Sequence, residues 1–279
     1  AQLGVDDTVY ALMLNGNDLY VGGYFESAGG LEANSIAKYD CAASSWSTLG
    51  QGVKYAEVYG LVFAIAASGS DVYVGGQFTQ AGLTSANYIA KWNGTAWSSL
   101  GSGLDSFADA ISVSGSGVYV GGNFTTAGGL PASNVAKWNG SSWSALGSGL
   151  VGHLVANGGS ALAARGMDVY AGGVFALAGD EPVGCIAKWN GSNWEALGSG
   201  VNNMVSAIGL YGTDVYVGGN FTQAGGEESF YLARWVEPLT VLSPNGGETW
   251  DAGSSQAINW TVDAALGPMK IEYSTDNGS

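Results

Sequence analysis

Histidine occurs once, at His153, and cysteine twice, at Cys41 and Cys185, in a chain of 279 residues. A zinc centre needs several such ligands close together, and two cysteines make no disulfide framework, so neither a structural metal nor a stapled mini-domain is expected. Basic residues are scarce too. Eight Lys plus Arg stand against 23 Asp plus Glu, a formal net charge of −15, and no basic stripe exists to neutralise phosphates. Nucleic acid and anionic lipid are therefore poor partners. No run of 18 apolar residues is present, which argues against membrane insertion through a helix, and no charged leader precedes an apolar segment at the start. The opening "AQLGVDD" suits a mature end left by signal cleavage. With little Lys, 47 Gly and much Ser, Thr and Asn, the expected location is secreted, at the cell surface.

Catalytic parts are missing in the same way. There is no Gly-x-Ser-x-Gly elbow, and His153 falls in the connection "VGHLVANGGS", where it reads as a surface-loop residue. No phosphate-cradling glycine loop leads into a helix. A paired-carboxylate glycosidase would need two or three acids converging on one site, and Asp109 stands without an equivalent in most other copies of the repeat described next. The chain is not expected to be an enzyme.

What the sequence does hold is one pattern written five times. The phrase Y-(V/A)-G-G begins at Tyr20, Tyr73, Tyr119, Tyr170 and Tyr216, at intervals of 53, 46, 51 and 46 residues, a period that signifies propeller blades or helical arrays. The content of each unit excludes helices. In the second, "VFAIAAS", "VYVGGQF", "YIAKW" and "AWSSLG" are short segments rich in Val, Ile, Tyr and Trp, separated by Gly, Asn, Asp and Ser. One unit therefore reads as one four-stranded sheet.

Recurrent residues take structural readings first. Asn93-Gly94, Asn139-Gly140 and Asn190-Gly191 suit two-residue hairpins between third and fourth strands. Asp18, Asp71, Asp168 and Asp214 fit the preceding turn, where a short carboxylate bonds nearby backbone. A calcium ring is the other reading of these acids, but the third copy has Gly117 there and calcium wants six to eight oxygens. The paired glycines mark a place where a side chain would be costly. Trp92 with Trp97, Trp138 with Trp143, and Trp189 with Trp194 read as packing between neighbouring units, with an aromatic platform for sugar as the alternative. The cations Lys38, Lys91, Lys137, Lys188 and Arg234 are expected to lay their stems over aromatic rings.

The double glycine after a strand, the aromatic that follows it and the Trp further on resemble the kelch and galactose-oxidase-like β-propeller repeat over residues 1 to about 237. The resemblance implies a propeller that binds partners. Copper oxidases among such proteins need several His and Tyr ligands, which one histidine cannot supply. "AQLG" resembles the "SALG" of residues 144–147, so residues 1–4 are expected to complete the fifth sheet, whose fourth strand is missing after Trp235.

From Pro238 the repeat stops, and "LTVL", "QAINWTV" and "MKIEYS" read as strands. The stretch around "PNGGETW" resembles the opening of a bacterial immunoglobulin-like domain. About 40 residues cannot build a seven-stranded sandwich, so truncation and strand addition from another copy both stay open; the second generates filaments.

Departures from the repeat are where specificity is expected. Two connections are long, "VKYAEVYGL" and "VGHLVANGGS", and acids follow the second strand only in copies one, four and five: Glu26 and Glu32, Asp180 and Glu181, Glu227 and Glu228. These six would form one acidic arc for a cation or a basic partner. The expectation is thus an all-β chain: a five-bladed β-propeller of four-stranded blades over residues 1–237, followed by a partial immunoglobulin-like β-sandwich segment over 238–279. Its expected role is that of a non-catalytic extracellular structural or adhesive protein without cofactor, calcium being the one ion considered. The partners implied are its own copies, as a homo-oligomer or filament, or a surface glycan in the lectin-like alternative.

Overall fold

A computed structural model of the chain describes residues 4–56, 58–153, 161–236, 240–243 and 259–261. The protein is all-β, and no helix occurs among the described residues. Four of the five copies form four-stranded antiparallel sheets with strands in chain order. The second sheet is typical: Leu61–Ser68, Asp71–Gln77, Ile89–Trp92 and Trp97–Ser99, each pairing with the next. The fifth copy gives three strands, Val205–Tyr211, Asp214–Gly219 and Leu232–Trp235. Between second and third strands every copy inserts a small hairpin, such as Gln80–Ala81 with Thr84–Ser85.

By contacts the chain divides into two units, Ala1–Ile208 with Val217–Ala233, and Gly209–Tyr216 with Arg234–Ser279. In the second unit Arg234 bonds Asp214 at 2.7 Å, and Thr240–Ser243 pairs antiparallel with Asn259–Thr261. The expected strand "MKIEYS" lies outside the described residues, as do residues 1–3, 154–160 and most of the tail.

The double glycine has two separate causes. Its first member packs against the next copy: a Cβ on Gly22 would lie 2.4 Å from Cγ1 of Val62, on Gly75 2.8 Å from Cβ of Ala108, and on Gly172 2.3 Å from Cγ1 of Val205. Its second member faces the neighbouring strand where that strand bulges. A Cβ on Gly23, Gly76, Gly122 or Gly219 would lie 2.0 Å from the carbonyl oxygen of Thr8, Leu61, Phe107 or Met204. Each bulge inserts one extra residue, Tyr10 between Val9 and Ala11, Phe63 between Val62 and Ala64, and Asp109 between Ala108 and Ala110. None of these glycines has positive φ, so the requirement is steric.

After each pair comes a core phenylalanine. Phe25, Phe78, Phe124 and Phe221 are fully buried and Phe175 nearly so, burial that stabilises by about 1.5–3 kcal/mol each. Their carbonyls accept the N–H of Ser35, Tyr88, Asn134, Tyr231 and Cys185, and these five equivalent residues all adopt left-handed backbone, φ 58–73°.

Three expectations need correction. The Asn-Gly turns are four-residue loops: Trp92 pairs with Trp97, and the Asn93 carboxamide oxygen accepts the N–H of Thr95 and Ala96. Only Gly94 has positive φ, because the Asn side chain holds the loop from inside. The four turn aspartates take cations as their partners: Asp18, Asp71 and Asp168 take Lys38, Lys91 and Lys188 at 3.0 Å, and Asp214 takes Arg234. Lys137, facing Gly117 in the third copy, lies 5.3 Å from the centroid of Tyr119, as expected of its stem and ring. Finally, Gly4 is not the end of a fourth strand. Its carbonyl accepts Gly29 N–H as Gly52, Gly103, Gly149 and Gly200 accept Gly82, Gly128, Gly179 and Gly225, which sets it two residues past the "SALG" match.

Candidate functional site

The six acids of the expected arc occupy equivalent hairpins. Glu32, Glu181, Glu227 and Glu228 lie in the second strand of theirs, Asp180 in the turn and Glu26 just before the first strand. All are exposed. Glu32 accepts the side-chain N–H of Asn34 at 3.2 Å. Among the described residues no three His, Cys, Asp or Glu come together as a metal ion requires.

Three of the six line cavities, Glu32 one of about 310 Å³ with Asn34 and Lys54, and Asp180 and Glu181 another. Asp180 and Glu181 share about 270 Å³ with Trp189, Trp194, Ser192 and Asn193. The tryptophans here serve packing as well. Trp194 donates its indole N–H to Leu146 O at 2.8 Å, as Trp97 does to Leu49 O and Trp143 to Leu100 O, both at 2.7 Å, so each bond ties one copy to the one before. Trp46 Nε1 is buried and has no acceptor among the described residues. Each of these rings also sits beside a hairpin glycine: Gly29 by Trp46, Gly82 by Trp97, Gly128 by Trp143, Gly179 by Trp194. At Gly225 nothing lies within 4 Å among the described residues.

The long connections build strands that the other copies lack. Val53–Tyr55 and Val58–Tyr59 add to the hairpin of the second copy, and Leu150–His153 pairs with Val174–Ala178 in the fourth. His153 is thus strand backbone opposite Val174 and not loop. In copies one, three and five an Asp or Asn does that job: Asp6 accepts Glu26 and Ser27 N–H, Asp105 accepts Thr125 and Thr126 N–H, and Asn202 accepts Thr222 and Gln223 N–H. These bonds help to hold the Asp6 and Asp105 carboxyls below the usual carboxylate range, against a smaller burial effect at Asp6 and a larger one at Asp105.

A second cavity, about 280 Å³, is lined by first-strand residues of all five copies, among them Tyr10, Phe63, Asp109, Leu162 and Ser206. Asp109 is 2% exposed, and neither carboxylate oxygen has a hydrogen-bond partner among the described residues. Burial alone pushes its carboxyl up to about 7. Sequence reading noted Asp109 as an isolated acid but had no signal for the bulge that places it here.

Cys41 and Cys185 are both free thiols, and burial pushes the Cys185 thiol up. Among the described residues no helix is long and apolar enough to cross a membrane.

No protein-family model matches the chain, and no curated protein matches it. Among solved structures it is similar to the computationally designed Ika8 protein, with 19% identity and a TM-score of 0.50 over 80% of this chain and 60% of that one. It also resembles the extracellular domain of the putative one component system BT4673 from B. thetaiotaomicron, with 12% identity and a TM-score of 0.47 over 76% of this chain and 26% of that one. The chain thus spans about 60% of the designed protein's length, and that likeness concerns the fold alone.

Proposed function

We propose that residues 1–237 form a five-bladed β-propeller, that residues 238–279 begin an immunoglobulin-like segment, and that the whole acts as a non-catalytic extracellular structural or adhesive protein that assembles with its own copies. The observation that carries this reading is the use of the repeated residues. Glycine pairs, phenylalanines, tryptophans and Asp–Lys pairs are all consumed in packing within and between sheets. Five first strands share one cavity, which is what blades around a common axis would do. Among the described residues the fifth sheet has no fourth strand, and none of them takes the place beside Gly225 that a tryptophan fills in other copies. A sheet edge of this kind accepts a strand from another chain, and head-to-tail pairing of that sort extends without closing.

Electron microscopy of purified protein tests the assembly. Ordered fibres or oligomers are expected; dispersed monomers at every concentration would contradict it.

A lectin-like role is the second reading, favoured by the cavity that combines Trp189 and Trp194 with Asp180 and Glu181. Rings beside carboxylates suit the apolar faces and hydroxyls of a sugar. Glycan-array binding lost on Asp180→Ala together with Glu181→Ala would support it; an array without binding would remove it.

A further inference from the structure

The first-strand cavity holds one charged group with nothing to neutralise it. Asp109 is buried, and among the described residues both its oxygens lack partners and no second acid and no His, Cys, Lys or Arg lines the space. Leaving a buried carboxylate unpaired is expensive, so a native structure that keeps one at a bulge calls for an explanation beyond packing. Copies one, two and five place Tyr10, Phe63 and Ser206 at the equivalent position. Asp109 is thus a departure from the repeat at the point where the first strands meet.

The walls say what the carboxylate would accept. Tyr10 and Phe63 stand edge to face with centroids 5.7 Å apart, and Ile65 and Ile111 add aliphatic surface. One carboxylate cannot satisfy calcium, which takes six to eight oxygens, or magnesium, which keeps its waters. An organic ammonium fits each feature: its charge answers Asp109, its alkyl part the isoleucines, and its C–H and N–H groups the electron-rich ring faces. A net charge of −15 raises the local concentration of any such cation.

We propose that this cavity is a binding site for a small organic ammonium ion, with Asp109 as its counter-ion and Tyr10 and Phe63 as its aromatic wall. The 280 Å³ volume suits an amine of a few carbons. Because binding requires the ionised carboxyl, affinity rises with pH through the range in which Asp109 titrates. The other titratable group lining the cavity is Tyr10, and none of its lining residues is cationic.

The test is calorimetry on the full chain with n-butylammonium, and with n-butanol as the neutral probe of similar size. At pH 8 the amine should bind the native protein, and Asp109→Asn should weaken it by about tenfold or more, the loss of one charge-assisted contact. Butanol should show no such dependence on residue 109. Carboxyl NMR of the unsubstituted protein gives a reading free of any folding defect in the variant: n-butylammonium should lower the Asp109 titration midpoint. No binding to the native chain, equal binding to Asp109→Asn, or a midpoint unmoved by the amine would each overturn the proposal.

Discussion

Gly76 shows how much a missing side chain can decide. A Cβ there would stand 2.0 Å from Leu61 O, a backbone atom that cannot rotate away. Gly76→Ala should therefore cost about 3 kcal/mol in urea denaturation, whereas Gly94→Ala, with nothing within 4 Å but φ of 96°, should cost about 1–2 kcal/mol. Cys185 makes the complementary case. At φ 58° it tolerates a γ-sulfur, but a β-branched side chain does not belong there. Cys185→Val should lower the unfolding free energy by about 1–2 kcal/mol and Cys185→Gly by clearly less, since glycine relieves the left-handed backbone. If Val and Gly prove equal, backbone strain is not what that position feels. The glycine pairs were legible in the sequence as places hostile to side chains, yet not as two different obstacles. One glycine meets a neighbouring copy and the other a bulge, and both partners are remote in sequence.

At the level of the elements, the five copies solve one problem in two ways. Copies one, three and five anchor the small hairpin with Asp6, Asp105 or Asn202, while copies two and four lay a strand beside it. If the two devices are equivalent, replacing residues 54–60 by Asp-Ser, as in residues 105–106, should give a folded protein of unchanged β-sheet circular dichroism. Its stability should lie within about 1–2 kcal/mol of the parent. Failure to fold would mean that Val53–Tyr55 and Val58–Tyr59 support more than their own hairpin. The strands of the main sheets were readable from β-branched and aromatic runs between turn residues, whereas the small hairpins and the strand that holds His153 were not. The Asp–Lys pairs were not, because Asp71 and Lys91 lie 20 residues apart and meet only once the register Tyr73 to Lys91 is set. The acidic arc was legible only as a shared position in the repeat: the six acids stand on equivalent hairpins, and among the described residues no three of them come together as a metal ion requires.

For the molecule as a whole, Asp109 sets a pH dependence of its own. Its folded-state value of about 7 lies above the ordinary 3.8, so between these limits the folded chain holds a proton that the unfolded chain has released. Its contribution to stability is therefore most favourable below pH 4 and declines as pH rises to 7. Asp6 and Asp105, held low, act oppositely and only below the ordinary carboxylate range. Thermal unfolding should show a midpoint that falls between pH 5 and 7 in the native chain and stays flatter in Asp109→Asn; parallel curves would show that Asp109 is not buried as described.

The central matter is whether five sheets stand around one axis. A high-resolution electron-microscopy or crystal structure of the chain, viewed down that axis, decides it directly. Five sheets in a closed ring, each contributing its first strand to a single channel that contains Asp109, is the expected picture. An open spiral, or a ring of four or six sheets, would contradict it.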